Sequence, residues 1–173
     1  MDMLRAVLIG ATAILAMSSA AIANSNVRPP IGLQLYCLKD PSTCRPTPAA
    51  AVKWSTEVSE LLSGINARVN AAIRPRADAQ TDSWTLGARY GDCEDYVLTK
   101  HQQLIASGVP AGALSFAFTR TSSGEGHAIL VVRTDQGDVV LDNLQSSIVL
   151  LQNSGYRIER ISQAGLLTWS SHN

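Results

Sequence analysis

A chain of 173 residues with 14 basic and 14 acidic side chains carries no formal net charge at pH 7. That balance excludes the basic footprint expected of a nucleic-acid binder or of a protein held on an anionic membrane surface. The length suits one compact domain with its own core, since domains cluster near about 100–150 residues, and neither an internal repeat nor a heptad array runs through it.

Residues Met1–Ala23 combine a short n-region containing Arg5, an apolar run from Ala6 to Met17 and Ala21-Ile22-Ala23 as a small-x-small cleavage site. This is the pattern of a signal peptide. The run falls short of the ~20 apolar residues a spanning helix needs, and no later stretch qualifies. The expected product is an exported, soluble domain over 24–173 with no stable membrane anchor. Asp2, which weakens the positive n-region, is the feature favouring a retained anchor instead.

Three cysteines in an exported chain raise the question of pairing. Cys37 and Cys44 bracket Leu-Lys-Asp-Pro-Ser-Thr, whose Asp-Pro-Ser centre is turn chemistry. A disulfide is expected there, a local staple contributing on the order of 2 kcal/mol in the chain-entropy view. Cys93 is then the odd cysteine, either an inert buried thiol or one that is needed.

Thr47-Pro48 reads as an N-cap with proline at the first helical position, and Trp54, Val58, Leu61, Leu62, Ile65, Val69, Ala72 and Ile73 follow at helical spacing. One long amphipathic helix is predicted, its stripe facing the core, with Pro75 as its stop. Residues 74–85 read as a polar loop carrying Trp84. A helix beginning at Cys93 should turn Tyr96, Val97 and Leu104 inward and end at Gly108 and Pro110. His101, two turns on and about 12 Å along the axis, is too far away to be a base for Cys93 and is expected at the surface. Beyond it, short β-rich runs are predicted over 114–119, 127–133, 138–143, 147–151 and 156–161. Helices followed by an antiparallel sheet make an α+β fold.

Two motifs carry chemistry. In Gly91-Asp92-Cys93-Glu94-Asp95-Tyr96 a cysteine stands at a helix N-terminus, where unpaired N–H groups and the dipole favour the thiolate. Asp92, Glu94 and Asp95 act against that and call for a cation or an imidazolium. A competing reading makes them ordinary first-turn acids around a small buried hydrophobe. The second motif is His127-Ala-Ile-Leu-Val-Val-Arg133 and Asp138-Val-Val-Leu-Asp142-Asn143. With a four-residue hairpin loop at 134–137, Arg133 faces Asp138 and His127 faces Leu144. Asp142 then lies one diagonal from His127 on the same face, within reach of the imidazole; a slip of one residue would part them. Cys93 as nucleophile, His127 as its base and Asp142 as the base's orienter is a complete triad, and first-turn amides near Cys93 would receive an oxyanion. Separately, a water-exposed His127 and a turn-forming Asp142-Asn143 remain ordinary alternatives.

The blocks Gly91-Asp92-Cys93-Glu94-Asp95-Tyr96 with Lys100, His127-Ala128-Ile129-Leu130 and Leu141-Asp142-Asn143, with Trp84 upstream, resemble the bacterial transglutaminase-like cysteine proteinases. The likeness covers roughly Cys37 to the C-terminus. It implies a papain-like, transglutaminase-like fold with N-terminal helices packed on an antiparallel sheet. It also implies Cys93, His127 and Asp142 as the triad of a periplasmic cysteine endopeptidase.

The best-known branch of that family is calcium-dependent and clips large surface adhesins, releasing biofilms, under an inner-membrane regulator. Its calcium-serving acids match Asp92, Glu94 and, less closely, Asp95. Hard oxygen donors suit calcium, although its six to eight oxygens would require carbonyls and water as well. The lead-in Ala88-Arg89-Tyr90 departs from the glycine-rich segment expected there, which bears on the substrate cleft. Besides an endopeptidase, the motifs allow an acyltransferase or cell-wall amidase using the same triad, or a non-catalytic calcium-binding or interaction module.

Overall fold

The computed structural model describes residues 26–78 and 82–171, so the expected leader at 1–23 lies outside the described residues. In chain order the elements are β1 (Asn26–Val27), α1 (Ile31–Lys39), α2 (Thr56–Ala72), β2 (Arg74–Pro75), β3 (Tyr90–Gly91) and α3 (Cys93–Ala106). A short 3-10 turn at Ala111–Ala113 then leads into β4 (Leu114–Arg120), β5 (Gly126–Val132), β6 (Val139–Leu141), β7 (Val149–Leu150), β8 (Arg160–Ser162) and β9 (Trp169–Ser171). Seven strands form one antiparallel sheet in the order β1-β9-β8-β4-β5-β6-β7, while β2 and β3 make a separate parallel ribbon. Helices first and an antiparallel sheet after them is the α+β order expected of the sequence.

The sheet is covered on both faces. Alternation along β5 sends Ala128, Leu130 and Val132 toward a core shared with Leu62, Ile65, Val69, Tyr96, Val97 and Leu104 of the helices. It sends Ile129 and Val131 to a second cluster closed by Tyr156, Ile158 and Ile161 of the C-terminal segment. The hairpin register is the one expected: Val132 opposes Val139 and Leu130 opposes Leu141.

The start of the second helix is a correction. Residues 47–55 are not helical, and α2 begins at Thr56 with Ser55 as N-cap, its hydroxyl accepting from Val58 N–H at 3.3 Å. Tertiary hydrogen bonds explain the difference. Ala50 N–H donates to Gly112 C=O, Val52 N–H to Arg133 C=O and Asp135 N–H to Val52 C=O, so the segment runs extended beside the β5–β6 loop. Trp54 N–H is likewise taken by Asp135. Pro48 at a helix start was thus outweighed by backbone pairing with a distant loop.

Helix α1 and strand β9 were not expected, and residues 156–159 are not strand. The Cys37–Cys44 disulfide is formed. Its turn is organised by Asp40, which accepts from Ser42, Thr43 and Tyr36 hydroxyls. Gln102 of α3 donates to Thr43 and ties the staple to the central helix. Among the described residues no helix is long and apolar enough to cross a membrane.

Candidate active site

Cys93 is the first residue of α3, as the sequence indicated, with Asp92 as an extended N-cap. The helix turns because the Asp92 carbonyl accepts from Asp95 N–H at 3.1 Å and Tyr96 N–H at 3.4 Å. Tyr96 anchors the same turn by donating to Ile73 C=O at 2.7 Å. Ahead of the cysteine, Gly91 is required: a Cβ there would overlap Asp95 Oδ2 and approach its Cβ and Cγ to 2.8 Å. Asp95 uses Oδ1 to accept from Thr85 N–H at 2.6 Å, fixing the loop that precedes the motif.

The thiol is half-buried and donates to Glu94 Oε2 at 2.8 Å. Burial pushes its pKa up, the charge and hydrogen bond of Glu94 add to that and Asp92 adds a little more, while a hydrogen bond from Ala128 N–H opposes them. Burial and the two acids outweigh that one favourable amide contact. The carboxylates suffer in turn: burial raises Glu94, and burial with the Asp92 charge behind it raises Asp95 to about 6.

The Ala128 contact brings the thiol against the start of β5, one residue from His127. His127, 4% exposed, gives Nε2 to Asp142 Oδ1 at 2.8 Å. The carboxylate also accepts from Tyr156 hydroxyl at 2.6 Å and Leu144 N–H at 2.9 Å. Burial alone would raise Asp142, but these hydrogen bonds outweigh it and hold the carboxyl below its usual range. An ionised Asp142 can only accept, so Nε2 is the donor of this pair, and in the neutral imidazole Nδ1 is the acceptor.

Three contributors were not foreseen. Tyr156 lies in a segment read as strand, yet its hydroxyl reaches Asp142 and its ring lies 5.9 Å from that of His127. Asn70 of α2 donates to Asp142 C=O at 2.8 Å, and the buried Asn66 donates to Gln145 and Ser146 carbonyls. Asparagines inside an apolar helical stripe were the available signal for this clamp.

Lys100 is fully buried, seven residues beyond Cys93, with its ammonium 5.8 Å from the Tyr96 ring centroid. Burial lowers its pKa to about 7, against the pull of Asp142. His101 is 1% exposed, not superficial: it meets Phe116 edge-on at 5.0 Å. Its Nδ1 has no partner, and burial lowers its pKa to about 4. The side of α3 at His101, expected to face water, is covered by Phe116 of β4.

For a metal, Asp92, Glu94 and Asp95 are adjacent in sequence, but Glu94 turns to Cys93 and Asp95 to Thr85. Among the described residues no three His, Cys, Asp or Glu side chains converge as a ready-made cage. The crowding of these acids, with Glu94 and Asp95 raised by burial and by the Asp92 charge, nonetheless fits a site that gains from added positive charge.

A sequence profile described as bacterial transglutaminase-like cysteine proteinase matches residues 23–173. No curated protein matches the chain in sequence. Among solved structures, calcium-bound LapG of Legionella pneumophila is similar at a TM-score of 0.55 and 22% identity, over 65% of this chain and 68% of that one. EGTA-treated LapG of the same organism aligns at 0.54 and 22% identity, over 65% and 66%. At that identity the likeness carries the fold, a transglutaminase-like cysteine protease architecture.

Proposed function

Since this chain belongs to the bacterial transglutaminase-like cysteine proteinase family, we propose that it is a cysteine endopeptidase whose nucleophile, base and orienter are Cys93, His127 and Asp142. The observation that carries this reading is the buried His127–Asp142 pair, one residue from the amide that meets the Cys93 thiol. Cys93 gives its proton to His127 Nδ1 as sulfur attacks a peptide carbonyl. The first-turn amides of α3 receive the oxyanion, and the leaving amine takes the proton back, leaving a thioester. His127 then draws a proton from water as its oxygen attacks the thioester carbonyl; the C–S bond breaks, the acid leaves, and sulfur takes the proton back from His127 to restore the thiol. Asp142, supported by Tyr156, holds the imidazole and stabilises its charged form.

Asp92, Glu94 and Asp95, with carbonyls and water, are the donors that would hold calcium. The ion would supply positive charge offsetting their effect on the thiol. The LapG structures, one calcium-bound and one EGTA-treated, support this choice of ion. The leader pattern at 1–23 supports export to the periplasm. The family resemblance favours a protein substrate such as a large surface adhesin, and an inner-membrane regulator.

The decisive test is iodoacetamide alkylation of Cys93 across pH, with calcium and with EDTA, on the parent and on His127→Ala. A thiolate titrating well below the ordinary cysteine value of about 8.5, and losing that shift on chelation or histidine removal, is the expected result. An ordinary or inert thiol in every condition overturns the enzyme reading in favour of an interaction module. Cys93→Ala is expected to abolish cleavage of a casein probe, by about 10³-fold or more, with thermal unfolding little changed. Product analysis with an added amine separates hydrolysis from acyl transfer.

A further inference from the structure

The ribbon that delivers the chain to Cys93 carries a cluster of cations. Strand β2 pairs in parallel with β3, Arg74 opposite Tyr90 and Pro75 opposite Gly91. Arg74 N–H donates to Arg89 C=O at 3.0 Å and Arg76 N–H to Gly91 C=O at 2.8 Å. This pairing gathers three guanidinium groups around one exposed ring: Arg76 lies 4.7 Å from the Tyr90 centroid, Arg89 5.8 Å and Arg74 6.0 Å.

All four side chains are solvent-exposed, and Tyr90 is 38% exposed. Among the described residues the ion pairs are Arg120–Glu159 and His127–Asp142, so none of these arginines has a carboxylate partner. In a chain of zero net charge, three convergent guanidiniums are a local concentration of positive field, not a surplus spread over the surface. Their mutual repulsion is relieved by an anion, and planar forks bind carboxylates bidentately. The Tyr90 ring serves as the platform that keeps the forks in place.

We propose that Arg74, Arg76 and Arg89 on Tyr90 form a subsite for an acidic side chain of the protein substrate, next to the scissile bond. The inference rests on the peptidase reading of Cys93. It favours a peptide over other anions because Tyr90 is three residues from Cys93, about 10 Å of extended chain at most. A carboxylate held there sits within two or three substrate residues of the thiol, so the cluster selects which bond is presented.

The test uses Cys93→Ala protein, so that binding is read without turnover, and two fluorescein-labelled probes, Gly-Glu-Glu-Glu-Gly and its Gln isostere. Fluorescence anisotropy at low salt should show the Glu peptide binding at least ten-fold tighter. The preference should disappear in Arg76→Gln and in the Arg74→Gln/Arg76→Gln/Arg89→Gln variant, each checked for an unchanged melting temperature. Equal binding of the two probes, or a preference that survives the triple substitution, overturns the proposal. So does arginine-dependent sedimentation with phosphatidylglycerol vesicles without peptide discrimination, which assigns the patch to a lipid surface. Alkylation of Cys93 in the parent protein reports on the peptidase reading separately.

Discussion

Around Asp142, single atoms decide the chemistry. Tyr156 gives the carboxylate a charge-assisted hydrogen bond at 2.6 Å, and that contact burdens the tyrosine, whose pKa rises to about 12 through burial first and the Asp142 carboxylate second. Bonds of this kind are worth about 1.5–3 kcal/mol, so Tyr156→Phe should lower kcat/KM by about ten-fold or more. A positioning role also predicts that the acid limb of the kcat/KM profile moves to higher pH, because Asp142 loses a donor that favours its ionised form; an unmoved limb would make Tyr156 a packing residue only. His101 yields a prediction for stability. Its folded pKa of about 4 lies below the ordinary imidazole value of 6.5, so the unfolded chain binds more protons between those values. The His101 contribution is therefore kept above about pH 6.5 and lost as pH falls toward 4. His101→Leu, similar in volume and relieved of the unpartnered Nδ1, should show a smaller drop in melting temperature between pH 7 and pH 5 than the parent.

Helix α3 joins the chemistry to the core, and its first turn admits little change. Gly91 backs onto Asp95, and Asp95 holds Thr85 N–H. A methyl at position 91 must displace the carboxylate or tilt the turn. Gly91→Ala should therefore slow Cys93 alkylation or peptide cleavage about ten-fold or more, a cost set by misplacement of the nucleophile, while distant Gly64→Ala, with open space around it, should not. The contrast between α2 and β5 shows what was legible at this scale. Tyr96, Val97 and Leu104 face inward as the 3.6-residue period indicated, and the β5–β6 register follows from a four-residue loop. The start of α2 did not follow from local signals, because Ala50 and Val52, just after Pro48, pair with Gly112 and Arg133, residues far away in sequence. Helix propensity is a weak prior against such partners.

Over the whole molecule, the charge balance of zero conceals a division. Acids crowd the thiol at 92–95, and arginines gather at Tyr90 on the ribbon just before it. The sheet separates two cores, one filled by the helices and one by the C-terminal segment that also brings Tyr156 to the site. The disulfide contributes no group to this machinery; it is tied to α3 through Gln102 and packs in the core that also holds Tyr96. Closing so short a loop contributes about 2 kcal/mol, and a domain of this size moves about 2–4 °C per kcal/mol. Cys37→Ser/Cys44→Ser should accordingly lower the melting temperature by about 4–8 °C and leave the alkylation profile of Cys93 unchanged; a lost profile would make the staple part of the active site.

The amino-acid sequence by itself determined the α+β order, the place of Cys93 at the start of its helix, the pairing of Cys37 with Cys44 and the hairpin that sets His127 beside Asp142. Each rests on short-range chemistry: hydrophobic period, turn residues and loop length. Only the tertiary structure decided the burial of His101 and Lys100, the true start of α2, the support of Asp142 by Tyr156 and Asn70, and the gathering of Arg74, Arg76 and Arg89 on one ring. Those features depend on which separate segments meet, and local periodicity carries no record of a partner on another element.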